Sequence, residues 1–371
     1  MILDSHIHYS LPVKAEEIIE ILDKTQTDYC CLVSQLDSHR ASETLDSLLA
    51  KSMSDRIYVF GSLDVTNYYK DIDNLGVNMS KHVEELMACG CDGIKMLEGK
   101  PTTRLRYPIP DFDNKCWDPY FDYLEKKQIP VVWHVNDPEE FWDREKVPAW
   151  ALANGWFYAD TKINNQSQYK QIENVLERHP MLKITFAHFF FLSNDLNRLG
   201  KLFDKFPNIC VDITPGIEMF INFSKNIEKS REFFIKYQDR ILYGTDICGC
   251  GCEGDLHFNE KDSLIRSNLC RKVLSEKDDI LIKGDKESLF GEEDLLIKSL
   301  QLDKEVQEKI LYKNFLRNVS QRKEINSNKI LEECQRERNR IKFLAKVFNY
   351  EENYEVIDYI ENIFKDKKWR I

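Results

Sequence analysis

Long hydrophobic runs and long basic runs are both missing from this 371-residue sequence. No apolar stretch approaches the roughly 20 residues that a bilayer-spanning helix needs, so we expect no membrane segment. The first residues show neither the basic nor the apolar region of a signal peptide. Because the formal net charge is −11, nucleic acid and anionic membranes are excluded as main partners, and a small molecule is expected instead.

A regular cysteine framework is missing as well. The eleven cysteines are odd in number and irregularly spaced, with Cys30 and Cys31 adjacent. A disulfide scaffold is unusual in a chain of this length, so the pattern predicts reduced thiols and a cytoplasmic location. The motif Cys248-Gly249-Cys250-Gly251-Cys252 lacks the Cys-x₂-Cys spacing of structural zinc sites, so we interpret it as a tight loop.

Short β-rich runs alternate with amphipathic helical patterns over about the first 245 residues. Several of the runs are apolar on both faces, as buried parallel strands are. The predicted strands are 2–8, 29–34, 57–64, 93–97, 130–135, 183–189, 209–214 and 241–246. Eight β-then-α units in this length favour a TIM (β/α)₈ barrel of the α/β class. A doubly wound open sheet fits the alternation too, but not the strand-end pattern described below.

Three connections are longer than the others, at 98–116, 136–166 and 247–290. Long connections after barrel strands usually build the substrate site. The region after about residue 291 has helical patterns and mixed charge. We therefore predict a barrel domain over 1–320. A helical extension over 321–371 is expected to pack on the barrel or on a second subunit, which leaves a homo-oligomer open.

Polar side chains end several of the predicted strands. His6 and His8 end the first strand, and His134, His188 and Asp246 end the fifth, sixth and eighth. All these ends open onto one rim of a parallel barrel, and residues two apart on a strand share a face. One such histidine is usually structural, but their convergence predicts a site. His6, His8, His134 and Asp246 offer three nitrogens and one oxygen, which suits zinc first, and also manganese, iron or cobalt.

These residues also carry a family resemblance. The pattern Asp4-x-His6-x-His8, the Gly93-Ile94-Lys95 strand, His134, His188 and Gly244-Thr245-Asp246 resembles the amidohydrolase superfamily. It is most similar to the amidohydrolase-related branch that includes aminocarboxymuconate-semialdehyde decarboxylase, and the stretches 134–142 and 233–240 resemble an uncharacterised bacterial subgroup of it. The resemblance covers about 1–320, and the tail lies outside it.

The resemblance implies one divalent ion on the four predicted ligands. His188 would lie just outside, as the group that orients or deprotonates water, and Asp246 would serve as ligand and general base. A second interpretation makes His188 a ligand and Asp246 only the base. Lys95 matches the position of a carbamylated bridging lysine in two-metal relatives, but more often such a lysine binds a substrate anion. Arg104, Arg106 and Trp142 are further candidates for substrate binding, with solvated arginines and a core tryptophan as the plainer interpretation.

Two reactions fit these residues. The first is metal-dependent hydrolysis of a C–N, lactone or related carbonyl bond in a small anionic molecule. The second is non-oxidative decarboxylation of an unsaturated or aromatic acid, which needs almost the same groups. A metal-dependent nuclease fits less well, because Lys95 stands on the strand where such enzymes have Glu. A binding protein without activity is disfavoured, since nothing would then retain five converging polar groups.

Overall fold

Parallel strands run around the centre of the molecule in a computed structural model that describes residues 1–35, 41–250, 256–284 and 293–366. Within these residues one sheet has the order β8-β7-β6-β5-β4-β3-β2-β1-β9. Its strands are β1 Leu3–Ser10, β2 Tyr29–Val33, β3 Ile57–Ser62, β4 Gly93–Gly99, β5 Val131–Val135, β6 Ile184–Phe186, β7 Ile209–Asp212, β8 Ile241–Leu242 and β9 Ile247–Cys250. Each predicted strand is present, and the TIM-barrel prediction is confirmed.

One continuous stretch of chain, 241–250, closes the barrel. Its first part, β8, pairs with β7, and its second part, β9, pairs with β1. Between them the Ser5 N–H donates to the Tyr243 carbonyl at 3.0 Å, and the Asp246 N–H donates to the His6 carbonyl at 2.9 Å. Asp246 has a φ of 57°, a value that extended strands do not adopt. Of the predicted strand 241–246 only the first two residues are in a strand, a second strand begins after Asp246, and the bend between them turns the Asp246 side chain toward β1.

The helices surround the barrel, as amphipathic segments between parallel strands do. They are α1 Ala15–Lys24, α2 Glu43–Met53, α3 Asn67–Lys70, α4 Leu75–Cys89, α5 Pro101–Arg106, α6 Asp118–Lys127, α7 Ala149–Ala153, α8 Asn165–Arg178, α9 Leu196–Lys205, α10 Ile217–Lys225, α11 Ile227–Lys236, α12 Glu260–Ser275, α13 Lys304–Glu308, α14 Asn314–Val319, α15 Ser327–Phe348 and α16 Glu355–Asp366. A short antiparallel pair, β10 Ile280–Ile282 and β11 Leu295–Ile297, lies in the third long connection. No helix of the described residues is long and apolar enough to cross a membrane.

The interior of the barrel is filled at the end opposite the predicted site. Alternate strand residues form an apolar cluster there, separate from the larger core under the helices. Phe315 and Val319 of α14 join this inner cluster. The Phe315 ring lies 5.2 Å from the Tyr58 ring and 6.2 Å from the Phe60 ring. Helix α14 therefore covers this end of the interior with apolar side chains, while the predicted polar residues lie toward the carboxyl ends of the strands.

The predicted C-terminal extension is helical and packs on the outside of the barrel. Helix α15 contacts α2 and α4, and α16 contacts α15 and α2. Ile330, Ile341 and Leu344 of α15 are fully buried in the outer core. The His82 Nε2 on α4 lies 3.2 Å from the Glu333 carboxylate on α15, and both side chains are buried. The division into domains at residue 320 remains a prediction, but these contacts attach the extension to the barrel itself.

Candidate active site

The barrel brings the predicted strand-end residues together. The His6 and His8 rings lie 5.1 Å apart, the His6 and His188 rings 5.7 Å apart, and the His134 and His188 rings 4.9 Å apart. Each of these histidines is at most 9% exposed. Asp246 is closest to His8, with its Oδ1 3.2 Å from the His8 Nε2. The five side chains, although distant in sequence, therefore share one buried pocket.

Three of them form a tighter group. The His6 Nε2, the His8 Nε2 and a carboxylate oxygen of Asp246 all lie within 4.8 Å of one another. The His6 Nε2 is 3.7 Å from the Asp246 Oδ1. Ligand atoms held about 2.1 Å from a common tetrahedral ion are separated by about 3.4 Å. The spacing of these three atoms therefore fits one divalent transition-metal ion.

Hydrogen bonds on the outer nitrogens set the tautomers of both histidines. The His8 Nδ1 lies 2.8 Å from the Val33 carbonyl oxygen, which can only accept, so this nitrogen carries the proton. The His6 Nδ1 lies 2.9 Å from the Asp212 Oδ2, which implies the same tautomer. In both rings the Nε2 is then the nitrogen that faces Asp246 and is available to an ion, while the Nδ1 is held by its hydrogen bond, as is usual for metal-binding histidines.

Asp212, at the end of β7, organises this group from behind. It is fully buried, and besides the His6 ring it accepts the His188 N–H at 2.8 Å and the Thr214 N–H at 3.2 Å. The Thr214 hydroxyl also donates to it. Burial acts to raise the pKa of Asp212, but the hydrogen bond and charge of His6 prevail and lower that pKa to about 2. Asp212 was not among the predicted site residues, because the predicted strand 209–214 extends two residues beyond the actual end of β7.

His188 stands at the start of an unusual turn. Four consecutive residues without glycine, His188 to Phe191, have φ values of 50–58°. A left-handed conformation costs a non-glycine residue about 1–2 kcal/mol, so the surroundings have to stabilise this turn. The Phe190 ring stacks 3.9 Å from the Phe186 ring, and the Tyr169 hydroxyl donates to the Phe190 carbonyl at 3.0 Å. This turn replaces the last residues of the predicted strand 183–189.

The protonation of His188 follows from its neighbour Thr214. The Thr214 hydroxyl uses its only proton on Asp212, so its oxygen accepts from the His188 Nδ1 at 3.1 Å. Burial lowers the pKa of His188, which favours the neutral ring. The lone pair is therefore on Nε2, and this nitrogen is chemically able to accept a proton.

Lys95 lies inside the same group. It is 1% exposed, and its Nζ lies 3.1 Å from the His6 Nε2. Burial is the largest influence on its pKa and lowers it to about 8. The pKa of His6 is lowered to about 3, first by burial and then by the Lys95 charge. A lysine in this position can meet an anionic part of a substrate, as the sequence analysis expected.

His134 has a different partner. Its Nε2 lies 3.2 Å from the Asp137 Oδ1, so it does not belong to the group of three donors. Asp137 also accepts the Lys100 Nζ at 2.9 Å and the Tyr158 hydroxyl at 2.7 Å. The Lys100 ammonium in turn lies 4.6 Å from the centre of the Trp156 ring. The role of His134 as a ligand remains a prediction, and the sequence analysis had missed Asp137, Lys100 and Tyr158.

The remaining predicted substrate-binding residues have their recorded contacts elsewhere. Arg104 bonds Gln168, Gln171 and Asp111, which belong to a region outside the barrel strands. Arg106 is exposed and lies 5.5 Å from the Phe348 ring of the C-terminal extension. Trp142 packs 4.9 Å from Tyr158 and donates to the Ile163 carbonyl at 2.8 Å. The structure therefore gives both arginines structural contacts. Trp142 packs on Tyr158, and Tyr158 in turn bonds Asp137.

The cysteine motif is only partly described, since 251–255 lie outside the described residues. Eight cysteines elsewhere are free thiols, as the sequence predicts. Cys248 differs, because its sulfur is in a disulfide. The prediction of reduced thiols throughout is therefore wrong at Cys248, on the strand β9 that pairs with β1.

The chain belongs to the amidohydrolase family, because residues 75–317 match that family. No relative was found among the curated proteins. Among solved structures, an uncharacterised TIM-barrel protein from Bordetella bronchiseptica is similar at 14% identity and a TM-score of 0.52, covering 86% of this chain and 99% of the other. A 2,6-dihydroxybenzoate decarboxylase from Rhizobium is similar at 13% identity and a TM-score of 0.50, covering 86% and 98%. Identities this low show the fold alone, and the family resemblance seen in the sequence is confirmed.

Proposed function

We propose that this protein is a metal-dependent hydrolase that cleaves a C–N, lactone or related carbonyl bond in a small anionic molecule. The observation that carries the proposal is the convergence of the His6 Nε2, the His8 Nε2 and the Asp246 Oδ1 beside His188. These three atoms would hold the ion, and His134 is the predicted fourth ligand. A divalent ion there, zinc first, with manganese, iron and cobalt as alternatives, would supply a Lewis acid and lower the pKa of water.

The protein groups then have separate roles. The unprotonated Nε2 of His188 accepts a proton from the attacking water and returns it to the leaving group. Asp212 orients His188 in this task through the Thr214 hydroxyl, and it also holds the His6 ring. Asp246 faces His8 with Oδ1, while its Oδ2 lies 3.7 Å from the Arg266 guanidinium. The aspartate is thereby fixed at both oxygens.

Two lysines support an anionic substrate. Lys95 is buried next to His6, and Lys100 lies at the end of β4 next to Asp137, with its side chain 18% exposed. The indole of Trp156 beside Lys100 offers a flat apolar surface, as recognition of a planar acid requires. In this proposal Lys95 keeps its predicted part in substrate binding, and Lys100 takes the part predicted for Arg104 and Arg106.

The same lysines are the observation that favours a second candidate, non-oxidative decarboxylation of an unsaturated or aromatic acid. A decarboxylase has to hold a carboxylate next to its catalytic groups, and Lys95 is positioned to do so. The two reactions differ in their products, since only decarboxylation releases carbon dioxide.

The test begins with metal analysis of protein purified without chelator, followed by a panel of lactones, amides and aromatic acids. We expect close to one equivalent of a transition metal and ring opening or amide cleavage. His188→Ala is expected to lower kcat by about 100-fold or more, as loss of a proton-transfer group does. Arg106→Met, a surface change, is the matched control and should keep kcat.

A metal content far below one equivalent per protein chain would refute the metal assignment. Full turnover by His188→Ala would show that His188 has no catalytic role. Carbon dioxide release without hydrolysis would replace the first candidate by the second.

A further inference from the structure

A second polar cavity lies outside the barrel strands. It has a volume of about 290 Å³ and lies between Arg104 of α5 and the first turn of α8. Lys162, Asn164 and Ser167 are exposed and open this cavity to solvent. Of the predicted site residues in the described part of the chain, only Arg104, a predicted substrate-binding residue, lines it. We refer to it below as the Arg104 cavity.

Arg104 forms the inner wall of the Arg104 cavity and is incompletely satisfied. Its side chain is 6% exposed, and its Nη1 donates to the Gln168 and Gln171 side-chain oxygens at 3.3 and 3.1 Å. Its Nη2 donates to the Asp111 Oδ1 at 2.7 Å. The Nε has no hydrogen-bond partner. A guanidinium carries five N–H donors; the contacts above use Nη1 twice and Nη2 once, and the Nε is closed off from solvent, so the remaining Nη2 N–H is the donor that an acceptor in the cavity can pair with.

The helix beside this arginine adds to the attraction for an anion. Helix α8 is 14 residues long, and its N-cap Asn164 satisfies only the Ser167 N–H with its side chain. The positive end of the helix dipole and the unpaired N–H groups of a first turn favour a negative charge. Lys162, two residues before the cap, contributes a full positive charge at the mouth.

The Asp111 carboxylate is an anionic group that already binds Arg104 at the edge of this cavity. Its side chain is 65% exposed, and its carboxylate occupies the outer edge of the Arg104 guanidinium. Because the Asp111 side of this ion pair is exposed, a carboxylate or phosphate from solution can compete with Asp111 or bind next to it. The charged groups that face the cavity, Arg104, Lys162 and Asp111, leave a net charge of +1.

We propose that the Arg104 cavity is a binding site for a small oxyanion, a carboxylate or a phosphate, separate from the metal centre. The proposal does not depend on the reaction that the metal centre catalyses. The site is connected to the barrel through Gln168, whose Nε2 donates to the Asn136 side chain at 2.6 Å directly after β5. Arg104 itself therefore lies two hydrogen bonds away from the segment that carries His134 and Asp137.

The test measures binding of inorganic phosphate and of malonate to the full-length protein by isothermal titration calorimetry. Two exposed positions allow changes of opposite sign without disturbing the buried arginine. Lys162→Met is expected to weaken binding about two- to five-fold, because it removes a cation at the mouth. Asp111→Asn is expected to tighten binding by a similar factor, because it removes the competing carboxylate.

Lys170→Met is the matched control, since it removes the same charge from an exposed position further along α8, where it does not line the cavity. It should leave the affinity unchanged. Phosphate can also bind a metal ion, so the titration is repeated with His8→Ala, which lacks part of the metal centre and should retain binding. A preference for phosphate over malonate, or the reverse, identifies the source of the oxyanion.

Absence of saturable binding to the wild-type protein at millimolar concentrations would overturn the proposal. So would binding that is lost in His8→Ala and unchanged in Lys162→Met and Asp111→Asn, because the anion would then occupy the mouth of the barrel.

Discussion

Replacing Asp212 by asparagine tests how the metal centre is prepared. Asp212→Asn keeps the shape of the side chain and removes its charge. The Oδ1 accepts the His188 N–H, the Thr214 N–H and the Thr214 hydroxyl, so the amide oxygen of asparagine is expected to take this position. The amide nitrogen then replaces Oδ2, which in the native protein lies 2.9 Å from the His6 Nδ1.

After this exchange the amide N–H of the asparagine faces the Nδ1–H of His6, so two hydrogen-bond donors oppose each other. To relieve it, His6 has to move its proton from Nδ1 to Nε2, and the lone pair that faces His8 and Asp246 is lost. Loss of a group that orients a metal-binding histidine commonly weakens metal affinity by about 10- to 100-fold. That range corresponds to about 1.4–2.7 kcal/mol of binding free energy, at about 1.4 kcal/mol per tenfold change.

The assay is a competition between the protein and a coloured chelator for zinc, read by absorbance. Glu98→Gln is the matched control, because Glu98 is also a fully buried acid, but its hydrogen bond is to the Tyr68 hydroxyl and not to a predicted metal ligand. We expect weakened affinity only in Asp212→Asn. A wild-type zinc affinity in Asp212→Asn, with the fold intact by circular dichroism, would refute the proposed role of the His6 tautomer.

Two further predictions concern stability. Burial raises the pKa of Glu98 to about 7, above its ordinary value of 4.5, so this group destabilises the fold increasingly as the pH rises from 4.5 to 7. Glu98→Gln should therefore gain up to about 3 kcal/mol relative to wild type between pH 4 and pH 8 in urea unfolding, and a gain independent of pH would contradict this. Phe315→Ala should lower the free energy of unfolding by about 3–5 kcal/mol in the same assay at pH 7, because it leaves a cavity among Tyr58, Phe60 and their neighbours. A decrease below about 1 kcal/mol would show that α14 does not close the barrel as described.

The strand-end residues were accessible from the sequence because a simple rule places them. Parallel strands of a barrel open onto one rim, so His6, His8, His188 and Asp246 could be assigned to one site once the strands were located. Lys95 followed from the family resemblance. Asp212 ends β7 in the structure, but the predicted strand ran two residues further, to 214, so the rule did not select it.

Side-chain direction in the long connections could not be obtained in this way. Arg104 lies in a connection predicted to serve the substrate, but α5 carries its side chain to Gln168 and Gln171 on α8. His134 ends β5 as predicted, yet its Nε2 faces Asp137 three residues further on. Both outcomes depend on how a loop folds back, which hydrophobic periodicity does not encode.

The sequence by itself determined the barrel, the rim and the chemical types that meet there, because strand alternation and parallel topology are local patterns repeated along the chain. Only the tertiary structure decided which nitrogen of each histidine is available, since Val33, Asp212 and Thr214 set the tautomers from elements far apart in sequence. The left-handed turn at 188–191 was also decided by the tertiary structure. It contains no glycine from which the sequence could predict it, and it is stabilised by aromatic packing and the Tyr169 hydroxyl. Hydrogen-bond partners and strained backbone are properties of the assembled interior, and these decide what the converging residues can do.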